Sequence, residues 1–341
     1  MLEESNDKTN TEFTEVTQAM DFFSKMLTKQ NAPRVGALAV MFAAMLWGID
    51  GAVLTPQLYT LDVVNVVFLL HALAFLFMIP LLWVEIKELK KLNSKDWLAF
   101  CWIALFGGAI GTMAITQALF LVHFVPLSVP ILIQKLQPLF AIFLALIILK
   151  EKPSKEFYAY GALALAGSYL ITFGFESPVI SLENKTLVAA GLGLVAAFAF
   201  GSCTTVGRYA VEKINYRVST YLRFGMTALL MAALVLALGK LGNFAAITQF
   251  QWLVMLVIVF TTGGVAIGIY YYGLRFVPAA KATFYELAFP ATAIVLDFVL
   301  NGKILSLGQF AGAAVLLWAV YKINQTKVAL GPGEEIKPLE A

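Results

Sequence analysis

Charged and amide side chains interrupt two apolar stretches of this sequence that resemble each other. Gln134 and Lys135 lie in the first stretch, and Glu286 lies in the second. A charged side chain inside hydrocarbon is costly, so it usually faces a polar cavity and marks the path of a substrate or an ion. We therefore expect Lys135 to bind a carboxylate or another anionic group, and Glu286 to bind an amine or a proton.

Prolines stand close to these polar groups. Pro130 and Pro138 lie on either side of Gln134, and Pro290 follows Glu286 by four positions. Each proline removes a backbone donor and frees a carbonyl group that a ligand can meet, which favours binding at these places. A structural kink without ligand contact is the alternative.

Three further ionisable side chains, Asp50, His71 and Arg223, lie in apolar segments. At 1.5 Å per residue, Asp50 and His71 come to roughly the depth of Lys135, roughly 10 Å below one membrane face. Arg223 and Glu286 come to a matching depth from the other face. We predict two ion pairs, Asp50 with Lys135 and Arg223 with Glu286. The alternative is that these charged residues only hold helices together. Arg223 could instead extend its side chain to the membrane interface.

The other candidate contacts are uncharged. A site made of a few placed polar groups on aromatic walls suits a small amphipathic ligand. The side chains that we select on this ground are Gln137, Tyr285, Gln117 and Trp47. His71 titrates near physiological pH in water, so it is a candidate proton carrier together with Glu286.

The composition is that of a membrane protein. Of the 341 residues, 60% are hydrophobic and 13% are charged, which excludes a water-soluble globule. A spanning helix needs about 20 apolar residues. We predict an all-α polytopic membrane protein with ten transmembrane helices, near residues 34–55, 63–84, 97–122, 127–149, 156–174, 186–207, 218–239, 251–275, 279–300 and 306–323.

The first five segments resemble the last five, which predicts an internal repeat. The clearest match pairs Phe124-Val125-Pro126 with Phe276-Val277-Pro278. Because five is odd, the second copy enters the membrane from the opposite side, as in transporters built from inverted five-helix repeats. The predicted units are an amino-terminal tail with an interfacial helix, the first repeat, an outer linker, the second repeat and a carboxyl-terminal tail, at residues 1–33, 34–174, 175–185, 186–323 and 324–341.

Basic residues are distributed unevenly between the two predicted faces. One set of connections contains only Lys185, Lys240 and Lys303, whereas the other connections and both tails are rich in Lys and Arg. Because positive charge collects on the cytoplasmic side, both termini are predicted to be cytoplasmic. We place the protein in the cell (inner) membrane.

Over residues 34–323 the chain resembles the EamA-like branch of the drug/metabolite transporter superfamily. The residues that carry the resemblance are Trp47-Gly48, Val125-Pro126, Pro138 and the run from Glu151 to Gly167. The resemblance implies ten helices around a central cavity and a secondary carrier that works by alternating access, often an exporter of amino acids or other small metabolites.

The second half departs from the family pattern. Asn301-Gly302-Lys303 lacks the glutamate that corresponds to Glu151. At the usual arginine position of the second span this chain has His71, while the seventh span keeps Arg223. A symmetrical role for Glu151 is therefore not expected.

We predict a secondary transporter that exports a small amphipathic metabolite, with an amino acid or a related zwitterion as the first choice of substrate. Phosphorylated sugars or nucleotides are the alternative, because Lys135, Arg223 and Lys281 would make the cavity basic. A lipid-handling protein or a membrane-embedded enzyme is the alternative from another class.

Catalytic and cofactor motifs are missing from the sequence. It contains no phosphate-binding P-loop, no Gly-x-Ser-x-Gly and no His-Glu-x-x-His. We therefore predict a protein that is not an enzyme and that holds no cofactor and no metal. The expected partners are a small-molecule substrate and the lipid bilayer, with protons as a candidate coupling ion and no nucleic acid.

Overall fold

The computed structural model describes residues 31–121, 133–177, 184–302 and 304–332. This part of the chain is almost entirely helical. Its α-helices are α1 (Ala32–Ile49), α2 (Val63–Glu85), α3 (Ser94–Trp102), α4 (Gly111–Leu121), α5 (Gln137–Leu144), α6 (Lys155–Phe173), α7 (Asn184–Lys213), α8 (Tyr216–Ala237), α9 (Gln249–Phe260), α10 (Gly264–Leu274), α11 (Ala279–Tyr285), α12 (Ala288–Asn301) and α13 (Leu307–Gln325).

Within the described residues, six helical segments are long and apolar enough to cross a membrane. They are Ala32–Leu58, Val63–Pro80, Ser94–Leu121, Leu187–Lys213, Tyr216–Ala237 and Gln249–Leu274. The polytopic helical architecture is thus present, while ten spans and their inverted arrangement stay predictions. The predicted interfacial helix of the amino-terminal tail and the Val125-Pro126 start of the fourth span lie outside the described residues.

Several of the long segments are not regular α-helices. Wider π-helical turns at Asp50–Leu54 and Ile103–Ile110 extend α1 and join α3 to α4, and Ala145–Leu149 extends α5 in the same way. Such wider turns inside helices occur frequently at functional sites. Residues 50–54 contribute Asp50 and Gly51 to the wall of the cavity described below, and Gly107 in residues 103–110 accepts a hydrogen bond from Arg223, another lining residue.

Glycines allow pairs of helices to approach closely. A Cβ added at Gly167 on α6 would lie 2.7 Å from the backbone nitrogen of Leu316 on α13. A Cβ added at Gly312 on α13 would lie 2.3 Å from the backbone nitrogen of Ile171. Only residues without a Cβ permit this separation, which is a common way to pack helices in membranes.

Polar contacts tie the helices together at two opposite ends of the bundle. At one end the Lys240 ammonium contacts the Asp62 carboxylate at 2.5 Å, and the Asn65 side-chain amide donates to the Lys240 carbonyl at 3.0 Å. At the other end two short strands, β1 (Lys152–Pro153) and β2 (Val328–Ala329), pair in antiparallel register. Helix α8 runs from one end to the other, about 33 Å at 1.5 Å per residue. We call these the Asp62 end and the Glu151 end.

Candidate functional site

A cavity of about 290 Å³ lies between helices of both halves of the chain. This volume is at the lower limit of the range for small-molecule sites. Its walls reach toward the Asp62 end, since Val66, one turn after Asp62, is part of them. None of its lining residues belongs to residues 149–155 or 274–281 of the Glu151 end.

Most of the side chains that we selected from the sequence line this one cavity. They are Trp47, Asp50, His71, Gln134, Lys135, Gln137, Arg223 and Glu286. The helices that contribute them come from positions far apart in the chain, so the fold is what brings these groups together.

Glu286 lies at the break between α11 and α12, and its carboxylate accepts three hydrogen bonds. Oε1 accepts from the Tyr270 hydroxyl at 2.8 Å and from the Thr204 hydroxyl at 3.0 Å. The Gln137 side-chain amide donates to Oε2. These donors come from α10, α7 and α5, so the carboxylate joins four separate parts of the bundle.

A proline explains why the helix breaks at this glutamate. Pro290 has no N–H with which to bond the Glu286 carbonyl four residues earlier. The Phe289 N–H bonds that carbonyl instead, at 3.1 Å. Helix α5 starts in a similar way, because Pro138 cannot donate to Gln134 and the Leu139 N–H bonds the Leu136 carbonyl at 2.9 Å.

Lys135 occupies the turn that precedes α5. Its ammonium donates to the hydroxyl of Ser168, a buried residue of α6, at 3.2 Å. Asp50 accepts from the Thr55 hydroxyl at 3.0 Å within its own segment. The predicted ion pair between Asp50 and Lys135 is therefore wrong for this conformation, because each side chain finds a hydroxyl partner closer by.

The second predicted ion pair also does not form. Arg223 Nη2 donates to the Gly107 carbonyl at 3.0 Å, on the π-helical segment between α3 and α4. Glu286 has three other donors, as described above. His71 Nδ1 lies 2.8 Å from the Val67 carbonyl, and its ring packs against Phe224 with 5.3 Å between centroids.

Two of the selected residues are not part of the cavity wall. Tyr285 is 2% exposed, and its hydroxyl donates to Asn324 Oδ1 on α13 at 2.9 Å. Gln117 lies on α4 but is not among the lining residues, whereas Thr112, Ile115, Thr116 and Leu119 of the same helix are. The structure therefore does not bring Tyr285 and Gln117 together with Lys135.

Sequence reasoning missed Thr204 and Ser168, the hydroxyl partners of the two central charges. A signal for Thr204 exists in the sequence, because Ser202-Cys203-Thr204-Thr205 is a run of small polar residues inside an apolar segment. Ser168 stands alone among apolar residues, so no comparable pattern points to it. Tyr270 was visible as an aromatic residue, but its hydroxyl bond to Glu286 was not.

Apolar helices of spanning length around a cavity with placed charges define the class as a multi-pass membrane transporter. The chain belongs to the EamA-like transporter family, whose model matches residues 34–173 and again residues 187–325. The double match shows that the sequence contains two copies of the family unit. With this membership, the protein is a transporter and not an enzyme.

Comparisons with individual proteins agree with this assignment. The chain is 43% identical over 291 residues to the riboflavin transporter ImpX of Fusobacterium nucleatum subsp. nucleatum, with 85% of this chain and 97% of that protein covered. A solved crystal structure shares the fold with a TM-score of 0.61 at 15% identity, covering 86% of this chain and 96% of the other.

Proposed function

We propose that this protein carries riboflavin, or a flavin close to it in structure, across the membrane. The observation that supports this proposal most directly is the 43% identity, over nearly the full length of both chains, to a protein named as a riboflavin transporter. The sequence-based expectation of an amino acid has no similar support, and we replace it with this proposal.

The chemistry of the cavity suits a flavin. Riboflavin joins a flat three-ring heterocycle to a chain of hydroxyl groups, so it needs apolar faces and several hydrogen-bonding groups. Trp47 and Tyr270 both line the cavity, with 5.3 Å between ring centroids, and Phe200, Phe224 and Phe289 provide further aromatic surface. The hydroxyl, amide and charged groups around Glu286 and Lys135 can bond the hydroxyl chain.

The balance of charge in the cavity favours a substrate without net charge. Among the described lining residues, Asp50 and Glu286 are acidic and Lys135 and Arg223 are basic, so the formal charges cancel with His71 neutral. The sequence-based alternative of a phosphorylated substrate rested partly on Lys281. That side chain lies outside the cavity and donates to the Asn324 and Thr326 carbonyls at 2.9 and 2.7 Å.

The proposed mechanism is alternating access by two inverted five-helix repeats in the cell membrane, with both termini cytoplasmic. In this arrangement the Glu151 end faces the cytoplasm and the cavity reaches toward the outer face. The double family match and the helix breaks just before Pro138 and Pro290, at corresponding places in the two copies, support this arrangement. Protons are the candidate coupling ion, with Glu286 and His71 as the titratable groups.

Counterflow in proteoliposomes tests the function. Vesicles that contain the purified protein and unlabelled riboflavin should transiently accumulate labelled riboflavin from outside, and the label should be recovered chemically unchanged. Unlabelled amino acids and sugar phosphates, added in excess, should not compete. Counterflow of amino acids without counterflow of riboflavin would refute the proposal, and a pH gradient imposed on the same vesicles tests coupling to protons.

A further inference from the structure

Arg223 is a buried cation of the cavity wall with hydrogen-bonding capacity to spare. Its side chain lines the cavity and is 8% exposed. Nη2 donates to the Gly107 carbonyl, whereas Nε has no hydrogen-bond partner within the described residues. The Tyr271 hydroxyl lies beside the guanidinium. The guanidinium therefore has an N–H donor without a partner in a buried site, where such donors are normally hydrogen-bonded.

A glycine makes room for this guanidinium. A Cβ added at Gly107 would lie 3.0 Å from Arg223 Nη1 and 2.8 Å from Cys203 Sγ. The next residue of α7 after Cys203 is Thr204, which bonds Glu286. Cys203 and Thr204 are consecutive on α7. Cys203 thus lies beside the Arg223 guanidinium, and Thr204 lies beside the Glu286 carboxylate.

The kind of ligand group that fits this place follows from charge and geometry. A buried donor that lacks a partner costs free energy, and an acceptor on the ligand removes that cost. Because Asp50 and Glu286 balance the two basic side chains of the cavity, an anionic acceptor gains no net attraction there, and a neutral carbonyl oxygen avoids repulsion from both carboxylates. The edge of a ring dione, in which an N–H lies between two carbonyl groups, offers neutral acceptors to a guanidinium and a donor to a carboxylate.

We propose that Arg223 donates hydrogen bonds to carbonyl oxygens on the edge of the substrate's ring, and that it determines specificity for an uncharged ring dione over a phosphate ester. This inference rests on the proposed transport of flavins and names the part of the flavin that the protein recognises. The ring, rather than the hydroxyl chain, is then the part of the substrate that Arg223 contacts.

Binding of matched ligands to purified protein in nanodiscs tests the inference. Riboflavin contains both ring and chain, lumichrome keeps the dione ring without the chain, and flavin mononucleotide adds a phosphate. We expect Arg223→Gln to weaken riboflavin and lumichrome by the same factor, about tenfold or more, because a hydrogen bond from a charged group is lost. Flavin mononucleotide should bind the unmodified protein more weakly than riboflavin.

Two further variants keep the test valid if Arg223→Gln fails to fold. Arg223→Lys retains the charge but not the forked donors, and Gly107→Ala retains the arginine but displaces it, so both should weaken lumichrome. Arg217→Gln is the matched control, because Arg217 is exposed, pairs with Glu85 and does not line the cavity. It should leave both affinities unchanged.

Other results would contradict the role of Arg223, the stated specificity or the transport of flavins. Unchanged riboflavin affinity in folded Arg223 variants overturns the inference, as does weakening of riboflavin without weakening of lumichrome. Tighter binding of flavin mononucleotide than of riboflavin overturns the stated specificity. If riboflavin is not transported but lumichrome still raises the Tm of the unmodified protein and not of Arg223→Gln, the role of Arg223 stands and flavin transport fails. If lumichrome does not bind the unmodified protein, the role of Arg223 fails.

Discussion

The carboxylate of Glu151 caps a helix that begins at Ala279, in the other half of the chain. Oε1 accepts from the Ala279 N–H at 2.7 Å, and Oε2 accepts from the Ala280 N–H at 2.9 Å. Pro278, the residue before helix α11, provides no side-chain cap of its own. Because the first amides of a helix lack partners within it, a carboxylate at this place satisfies them and also interacts favourably with the helix dipole.

Removal of this cap should destabilise the protein. Glu151 is fully buried, so Glu151→Ala leaves two buried amides without their acceptor, and we expect a loss of about 2–4 kcal/mol. Glu151→Gln keeps one acceptor oxygen and should cost about half as much. The measurement is thermal or denaturant unfolding in detergent, with Glu156→Gln, an exposed residue of α6, as control. An unchanged midpoint for Glu151→Ala would show that water replaces the cap without cost.

Glu286→Gln should abolish transport while membrane insertion and expression remain normal. The amide has one acceptor oxygen, whereas the carboxylate accepts bonds from Tyr270, Thr204 and Gln137. The check is the initial rate of riboflavin counterflow per inserted molecule, which should fall by more than tenfold. Glu156→Gln again serves as control. A rate equal to that of the unmodified protein would remove Glu286 from the site.

Lys135→Ala should also abolish transport, because its ammonium is one of the two basic groups that balance the acids of the cavity. Ser168→Ala should have a smaller effect, since it removes the hydroxyl partner of Lys135 but leaves the charge in place. The same counterflow assay ranks the two variants. Lys155→Ala, which removes an exposed ammonium at the start of α6, should behave like the unmodified protein. The reverse order, with Ser168→Ala more severe, would contradict this account.

Gly312→Ala should lower the free energy of unfolding by about 1–3 kcal/mol by disturbing the packing of α6 against α13. The new Cβ would lie 2.3 Å from the Ile171 backbone nitrogen. Gly191→Ala is the matched control, since nothing lies within 4 Å of a Cβ added at this position of helix α7. Alanine is a better helix former than glycine, so this control should be neutral or slightly stabilising. Equal unfolding midpoints for the two variants would contradict close packing of α6 against α13.

The sequence predicts the membrane class and eight of the side chains that line the cavity, because a charge in an apolar segment has few acceptable environments. The position of Lys135 and Glu286 on one cavity follows from that rule. The partners of these charges did not follow, because depth along a helix says nothing about direction around its axis. Successive residues of a helix point about 100° apart, so Tyr285 contacts Asn324 while its neighbour Glu286 faces the cavity.

The π-helical turns add a second reason why pairing was hard to predict. A wider turn shifts the residues that follow it around the axis, and the Gly107 carbonyl that binds Arg223 lies in such a turn. An estimate of side-chain depth does not identify such a backbone carbonyl as the acceptor for Arg223. The hydroxyl of Ser168 escaped notice for a simpler reason, since a single serine in an apolar helix is usually not a ligand contact.

The segment Asn301-Gly302-Lys303 of the second repeat lacks a glutamate that matches Glu151. For a carrier that alternates as proposed, the contacts that close each end contribute to the resting populations of its two conformations. Each ~1.4 kcal/mol that the Glu151 cap and the paired strands contribute makes the conformation closed at that end about tenfold more populated. The empty carrier would then have its cavity open mainly toward one compartment. The binding of substrate would have to supply the free energy that reverses this preference.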